Sequence, residues 1–130
     1  MLNDDVRMIL DQPHFAVLAT INQDGSPQQT VMWYELIGDQ IMMNTEAGRT
    51  KEGNILRDPR VSVCVEDRYN YITLTGRAAL DYDANQSQID IARLARRYQP
   101  PQKAEQLIAN FQQETRITIW IDIEHVITKF

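Results

Sequence analysis

The sequence predicts a mainly β domain of the α+β class, built around an antiparallel barrel with short helices packed on it. Predicted strands outnumber predicted helices, and the links between successive strands are too short for the crossovers of a parallel sheet. No internal repeat, low-complexity tract or linker divides the 130 residues. A chain of this length has enough side chains for one packed core, so residues 1–130 are expected to form a single domain.

The N-terminal part is predicted to form one helix and a meander of three strands. Apolar side chains recur at helical spacing within residues 4–12, and Pro13 ends that helix. Three stretches rich in apolar or β-branched residues and separated by turn formers predict the strands, at residues 15–21, 28–37 and 41–45. Because short turns join these strands, each is expected to pair antiparallel with the next.

The middle of the chain combines a polar helix with two strands. The segment at residues 46–58 predicts a short helix that begins near Arg49 or Thr50. Two strands are predicted after it, at residues 60–66 and 71–82. Gly76 interrupts the second of them and predicts a bulge or a close approach of another backbone.

Two helices and a strand complete the chain. Apolar residues at i, i+3, i+4 and i+7 predict an amphipathic helix over residues 84–98, and the prolines at 100–101 end it. A further short helix is marked by the apolar residues within 107–111. Isoleucines alternate with polar residues and Trp120 over residues 116–123, which is the clearest strand pattern of the chain.

Composition and charge exclude several classes of function. The formal net charge of -5 is opposite to that of a protein that tracks a nucleic-acid backbone, so no nucleic-acid partner is expected. No apolar run reaches the roughly 18 residues of a membrane span. The acidic N-terminus lacks the pattern of a secretory signal, and Cys64 is the single cysteine. These features predict a cytoplasmic location without a membrane partner.

Familiar catalytic motifs are absent from the sequence. The five glycines never form the G-x-G-x-x-G of a dinucleotide site, and no serine lies in a G-x-S-x-G elbow. His14, Cys64 and His125 are isolated and lack metal-ligand spacing, so no metal site is expected. Three tyrosines are candidate proton donors that no spacing distinguishes, namely Tyr34, Tyr69 and Tyr71. The catalytic residues therefore stay unassigned.

The entry to the polar helix carries the chemistry of an anion site. Arg49 and Lys51 flank the hydroxyl of Thr50 where unpaired backbone N–H groups and the positive end of the helix dipole are expected. Gly48 allows the backbone to approach a ligand, and Thr45 at the end of the preceding strand adds another hydroxyl. The residues favour a phosphate as ligand; the alternative is a solvated helix surface that binds nothing.

Two sequence blocks at fixed spacing resemble a known family. They are A-T-x-x-x-D-G-x-P-x-x-x-x-x-W at residues 19–33 and G-R-x-K-x-x-N-x-x-R-D-P-R-V at residues 48–61. Together they resemble the pyridoxamine 5'-phosphate oxidase-like split β-barrel superfamily. Within it, the chain is most similar to the flavin/deazaflavin oxidoreductases, the class that uses coenzyme F420. The resemblance extends from about Phe15 to the end of the chain.

The resemblance implies a homodimer of split barrels with one cofactor in each of two clefts between the subunits. In such proteins the arginine and lysine of the second block hold the cofactor phosphate, an asparagine follows them, and the ring lies along the second strand. The matching positions here are Arg49, Lys51, Asn54, Thr30, Val31 and Met32. With Thr45 and Thr50 from the helix entry, these are the predicted cofactor-binding residues. Trp33 lines either the site or the dimer contact.

The function that the resemblance implies is transfer of a hydride from reduced F420 to a small conjugated organic substrate. One alternative is an FMN-dependent oxidoreductase on the same barrel. Another is a non-catalytic carrier of a flavin, F420 or a tetrapyrrole. The local excess of two positive charges at residues 49–60 suits either phosphorylated cofactor, so charge in the sequence does not separate F420 from FMN.

Overall fold

The computed structural model describes residues 2–130, which fold into four helices and seven strands. The helices are α1 (Asp4–Leu10), α2 (Thr50–Arg57), α3 (Ala84–Tyr98) and α4 (Pro101–Phe111). The strands are β1 (Ala16–Ile21), β2 (Pro27–Met32), β3 (Glu35–Ile37), β4 (Gln40–Glu46), β5 (Arg60–Asp67), β6 (Asn70–Asp81) and β7 (Arg116–Lys129). The predicted antiparallel, mainly β fold with short flanking helices is confirmed.

The strands form one antiparallel sheet that curls into a barrel. Their order is β2-β1-β5-β6-β7-β4-β3, so β2 and β3 lie at opposite edges. Only Trp33 and Tyr34 separate these two strands along the chain. Three residue steps span at most about 11 Å, so the two edges must come close together. The result is a barrel left open between β2 and β3, because these two edge strands are not paired.

The prediction of one strand over residues 28–37 was wrong. Alternate side chains stay buried across the break, at Met32, Tyr34 and Leu36, which is the pattern of a continuous strand. The backbone of Tyr34 is bonded instead to α3: its N–H donates to the Tyr98 hydroxyl at 3.1 Å, and its carbonyl accepts from Arg97 Nε at 3.0 Å. These side chains replace the strand partners, and the chain crosses from one sheet edge to the other.

The barrel interior is filled by the inward-facing side chains of all the strands. Helices α1 and α2 add Val6, Leu10 and Ile55 to the same core. Helix α3 packs on the outside of the sheet, where its Ile91 and Leu94 cover Met42 of β4. Both faces of β4 are therefore buried, whereas among the described residues the outer faces of β1, β2 and β5 stay partly exposed.

The last strand extends beyond the predicted residues 116–123 and ends at Lys129. The reason is the bulge predicted at Gly76, which the structure confirms. The pairing register shifts between Thr75 and Gly76, and Glu124 of β7 is left as the extra residue. Odd-numbered residues of β7 face the core before the bulge, but even-numbered residues face it afterwards. The isoleucine alternation therefore stops at the bulge although the strand continues.

We expect Gly76→Ala to destabilise the fold. A Cβ at this position would lie 1.8 Å from the carbonyl oxygen of Asp122, and the cost of moving that backbone is about 2–3 kcal/mol in the free energy of unfolding. Gly53→Ala is the matched control, because a Cβ there meets nothing within 4 Å and alanine favours the helix by about 0.5–1 kcal/mol. Urea unfolding of both variants measures the difference; equal stabilities would contradict the close contact.

Candidate functional site

The N-terminus of α2 presents free backbone donors. Gly48 turns the chain with φ 91°, a backbone conformation that favours glycine. Arg49 is the N-cap residue, and its side chain makes no capping hydrogen bond. The helix begins at Thr50, as the sequence predicted. The backbone N–H groups of Thr50 and Lys51 are therefore available to an anion, whereas that of Glu52 donates to the Arg49 carbonyl at 3.1 Å.

Lys51 is the most unusual side chain of this helix turn. Only 7% of its surface is exposed, and within residues 2–130 its ammonium makes no hydrogen bond or ion pair. Burial lowers the pKa of Lys51, and the positive charges of Arg49 and Arg116 lower it further. The stem of Lys51 is buried, while its ammonium nitrogen keeps some contact with solvent. An unpaired, partly desolvated cation beside two other cations fits a negatively charged ligand.

Arg116 completes this cation cluster, which we define as Arg49, Lys51 and Arg116. It begins β7, opposite Glu46 of β4, and only 10% of its side chain is exposed. Its Nε donates to Asn44 Oδ1 at 2.9 Å, and its guanidinium lies 4.7 Å from the centre of the Phe111 ring. Arg116 was not predicted from the sequence, because it lies 65 positions after Lys51 and only the pairing of β4 with β7 brings the two together.

Three carboxylates accompany the cation cluster. Glu46 lies 3.2 Å from Arg49, and Glu114 lies 2.7 Å from Arg116. Glu52 of α2 bends back over the helix N-terminus, where it accepts a hydrogen bond from the Gly48 N–H at 2.7 Å. Its second oxygen accepts one from the Tyr82 hydroxyl at 2.9 Å. Each arginine thus has a carboxylate partner, whereas Lys51 has none among the described residues.

A groove of about 170 Å³ reaches this cluster along the edge of the sheet. Its lining is apolar apart from one amide and one guanidinium, and consists of Val31, Met32, Trp33, Asn44, Ile91, Leu94, Phe111 and Arg116. Trp33 is held by parallel stacking on Tyr98, with the ring centres 5.4 Å apart. Because β2 is an edge strand, its backbone also offers unpaired polar groups beside the groove. We call this feature the β2 groove.

The structure brings together five of the predicted cofactor-binding residues. Arg49, Thr50 and Lys51 share the first turn of α2, while Val31 and Met32 line the β2 groove. Arg116 lines that groove and also belongs to the cation cluster, so it connects the two groups of residues.

The other three predicted residues have different surroundings. Thr45 is buried on the face of β4 that carries Met43, whereas the groove receives Asn44 from the opposite face. Thr30 accepts a hydrogen bond from Gln28 Nε2 at 3.1 Å. The side-chain amide of Asn54 donates hydrogen bonds to Thr20 and Asn22 and accepts one from Arg57. These bonds show that Asn54 ties α2 to the end of β1.

The three tyrosines considered as proton donors lie outside the β2 groove. Tyr34 is fully buried, its hydroxyl donates to the Leu10 carbonyl at 3.0 Å, and burial strongly raises its pKa. Tyr69 is 91% exposed in the β5–β6 turn, and Tyr71 follows it on β6. No tyrosine lines the groove as the structure describes it, so the catalytic residue stays unassigned.

Other features of residues 2–130 offer less to a charged ligand. A larger groove of about 350 Å³ is lined by Val61 and Gly76, but its arginine, Arg60, is bound to Asp58. In the described part of the chain, no three His, Cys, Asp or Glu side chains are grouped to hold a metal ion. None of the helices there is long and apolar enough to cross a membrane.

The protein is a curled antiparallel barrel in which a cationic helix entry lies beside an apolar groove, an arrangement that suits a ligand with an anionic group and a flat apolar part. Residues 2–129 match the pyridoxamine 5'-phosphate oxidase family. The chain therefore belongs to that family, whose superfamily is one of flavin-binding oxidoreductases.

Solved structures share the fold. An F420 reductase is 24% identical with a TM-score of 0.75, covering 93% of this chain and 94% of that protein. A conserved hypothetical protein from Mycobacterium tuberculosis is 24% identical with a TM-score of 0.82, over 98% and 84% of the two chains. A putative pyridoxamine 5'-phosphate oxidase from Listeria innocua is 18% identical with a TM-score of 0.75, over 98% of each. These likenesses establish the fold.

We expect Lys51→Met to stabilise the ligand-free protein at neutral pH. The variant keeps an unbranched apolar stem but removes an unpaired, partly desolvated charge, which we expect to raise the free energy of unfolding by less than about 1 kcal/mol because solvent screens part of the penalty. The pKa of Lys51 in the folded chain lies below the ordinary 10.5, so the wild type loses this penalty as pH rises through the folded pKa. The difference in melting temperature between Lys51→Met and the wild type should therefore become smaller as the pH rises.

Thermal unfolding of the wild type and Lys51→Met across neutral and alkaline pH measures that difference. Lys103→Met serves as the control, because Lys103 is exposed on α4 and its charge costs little. A Lys51→Met variant that is less stable than the wild type at every pH would contradict the buried-charge interpretation.

Proposed function

We propose that this protein is an F420-dependent oxidoreductase that reduces a small conjugated organic substrate. The observation that carries the proposal is the unpaired ammonium of Lys51, whose side chain is largely buried in the first turn of α2. Arg49 precedes it at the helix N-terminus, and Arg116 at the start of β7 is close enough to lower its pKa. A phosphate of the cofactor would supply the missing negative charge. The membership in a family of oxidoreductases and the likeness to an F420 reductase support the same assignment.

The residues present fit such a cofactor. Arg49 and Lys51 would hold its phosphate, together with the free N–H groups of the first turn of α2. Val31, Met32 and Trp33 would line its ring, with backbone groups of the β2 edge available to the polar side of the ring. A reduced deazaflavin supplies a hydride when bound. The apolar side chains of the groove would exclude water from the place where a flat substrate meets the ring.

FMN is the alternative cofactor, and it is favoured by the flavin binding of the superfamily. It would use the same phosphate contacts, because its phosphate also needs Arg49 and Lys51. Fluorescence quenching on separate titration of the protein with F420 and with FMN distinguishes the two. We expect tighter binding of F420; tighter binding of FMN would assign the protein to the flavin-dependent branch, and binding of neither would overturn the proposal.

We expect the double variant Arg49→Ala/Lys51→Ala to bind F420 at least about 100-fold more weakly, because two charge-assisted contacts to the phosphate are lost. Arg96→Ala/Lys103→Ala is the matched control, since it removes the same two residue types from the surface of α3 and α4. Its affinity should equal that of the wild type. Undiminished binding by the first variant would refute the phosphate assignment.

We also propose that two copies of the chain form a dimer that completes the cleft. The uncovered outer face of the sheet carries a row of cross-strand neighbours, Val31, Val17, Cys64, Thr73 and Ile127. Val31 is 65% exposed and Ile127 is 59% exposed. Because Val31 belongs both to this row and to the β2 groove, a second copy seated on the row would also cover the groove.

We expect Val17→Glu to dissociate the dimer, raising its dissociation constant at least about 100-fold, because a carboxylate would be buried without a partner in the centre of the row. Sedimentation velocity at micromolar concentration measures the mass. Gln106→Glu adds the same charge on the exposed surface of α4 and should leave the dimer intact. A wild-type monomer at these concentrations would rule out the shared cleft.

The cytoplasmic location stays a prediction of the sequence.

A further inference from the structure

Glu52 places a negative charge at the site where the cofactor phosphate is proposed to bind. Its carboxylate lies over the first turn of its own helix, fixed by the Gly48 N–H at 2.7 Å and by the Tyr82 hydroxyl at 2.9 Å. Helix N-termini attract carboxylates for the same reason that they attract phosphates. The side chain therefore lies beside any anion that Arg49 and Lys51 hold.

The formal charges around the site cancel. The cations are Arg49 and Lys51 of the α2 entry and Arg116 of β7. The anions are Glu46 of β4, Glu52 of α2 and Glu114 before β7. Tyr82, which follows β6, is the remaining titratable contact, and its pKa is raised by burial and by Glu52. Because each arginine is paired with a glutamate, Lys51 and Glu52 are the two charges without an ionic partner. A first negative charge on a ligand could pair with Lys51, whereas a second would meet Glu52 with no further unpaired cation to offset the repulsion.

We propose that Glu52 contributes to cofactor specificity through the charge of the phosphate, favouring a monoanionic phosphodiester over a dianionic phosphomonoester. The inference rests on the proposed function, since it concerns the same phosphate site. F420 carries a phosphodiester, whereas the terminal phosphate of FMN bears close to two charges at neutral pH. The carboxylate of Glu52 repels the second charge of the phosphate. The hydrogen bonds from the Gly48 N–H and the Tyr82 hydroxyl keep this carboxylate at the N-terminus of α2.

The effect of Glu52 on the dissociation constant of a ligand depends on the charge of the ligand's phosphate. The repulsion between Glu52 and a bound phosphate is proportional to the charge of the phosphate. Removal of the carboxylate charge should therefore improve the binding of a dianion by the square of the factor for a monoanion. If a monoanionic ligand gains about threefold, the dianionic ligand should gain about tenfold.

The test compares ligands that share one ring. FMN and its phosphate monomethyl ester differ by one charge on the phosphate, and F420 is the third ligand. Dissociation constants of the wild type and of Glu52→Gln are measured at pH 7.5 by fluorescence titration, about 1.5 pH units above the second pKa of a phosphomonoester. We expect Glu52→Gln to bind FMN about tenfold more tightly and the ester, which is the matched comparison, only about threefold more tightly.

Two controls separate charge from structure. Glutamine can keep both contacts of Glu52, because its oxygen accepts from Gly48 and its amide donates to Tyr82. Tyr82→Phe removes one contact but keeps the carboxylate, which the Gly48 N–H still holds, so the ratio of FMN to ester affinity should change less than in Glu52→Gln. Glu105→Gln removes a carboxylate from the α4 surface, where it pairs with Arg96, and should leave that ratio unchanged.

The outcomes distinguish this inference from the proposed function. Equal gains for FMN and its ester in Glu52→Gln, or no gain for either, would overturn the role of Glu52 while the phosphate site stands. A change of the ratio in Tyr82→Phe as large as that in Glu52→Gln would assign the effect to packing instead of charge. Failure of the wild type to bind any of the three ligands would overturn the proposed function and this inference with it.

Discussion

The architecture depends on how the two residues between β2 and β3 are held. A sheet whose edge strands are adjacent in sequence must curl, and the curl persists only if the crossing is fixed. Tyr34 provides that anchor: its ring is fully buried, its hydroxyl donates to the end of α1, and its backbone is bonded to α3. Arg97 strengthens the junction by donating to carbonyls of Leu10, Asp11 and Gln12 as well as to that of Tyr34. Tyr34 and Arg97 thus link the two edges of the barrel to α1 and α3.

The same junction positions the candidate site. Trp33 precedes Tyr34, so the anchoring of one residue presents the other to the β2 groove, where it stacks on Tyr98 and meets Phe111 edge-on at 6.5 Å. Phe111 in turn lies under the guanidinium of Arg116, which belongs to the cation cluster. Packing and charge are therefore continuous from the barrel closure to the anion site. A rigid apolar wall ending in cations suits a flat ligand with an anionic substituent.

Most of the fold could be predicted from local patterns, whereas the two features that organise the site could not. The alternation of isoleucines with polar residues predicted the first part of β7, and Gly76 predicted the bulge. Both predictions succeeded because they depend only on residues that are close in sequence. The break at Trp33 was invisible, since burial alternates through Met32, Tyr34 and Leu36 whether or not the chain changes partners. For the candidate site, the basic helix entry gave Arg49 and Lys51, but Arg116 required knowledge of strand pairing.

The basic residues that lie close together in the sequence are not the same ones that lie close together at the site. The positive excess at residues 49–60 includes Arg57 and Arg60, yet these two are occupied elsewhere: Arg57 with the Ile21 carbonyl and Arg60 with Asp58. Glutamates near the site balance its arginines and leave Lys51 as the unpaired cation. An unpaired charge on a largely buried side chain opposes folding of the ligand-free chain, and a bound anion would remove that opposition. The proposed affinity for an anion would therefore arise from the same ammonium that lowers the stability of the ligand-free chain.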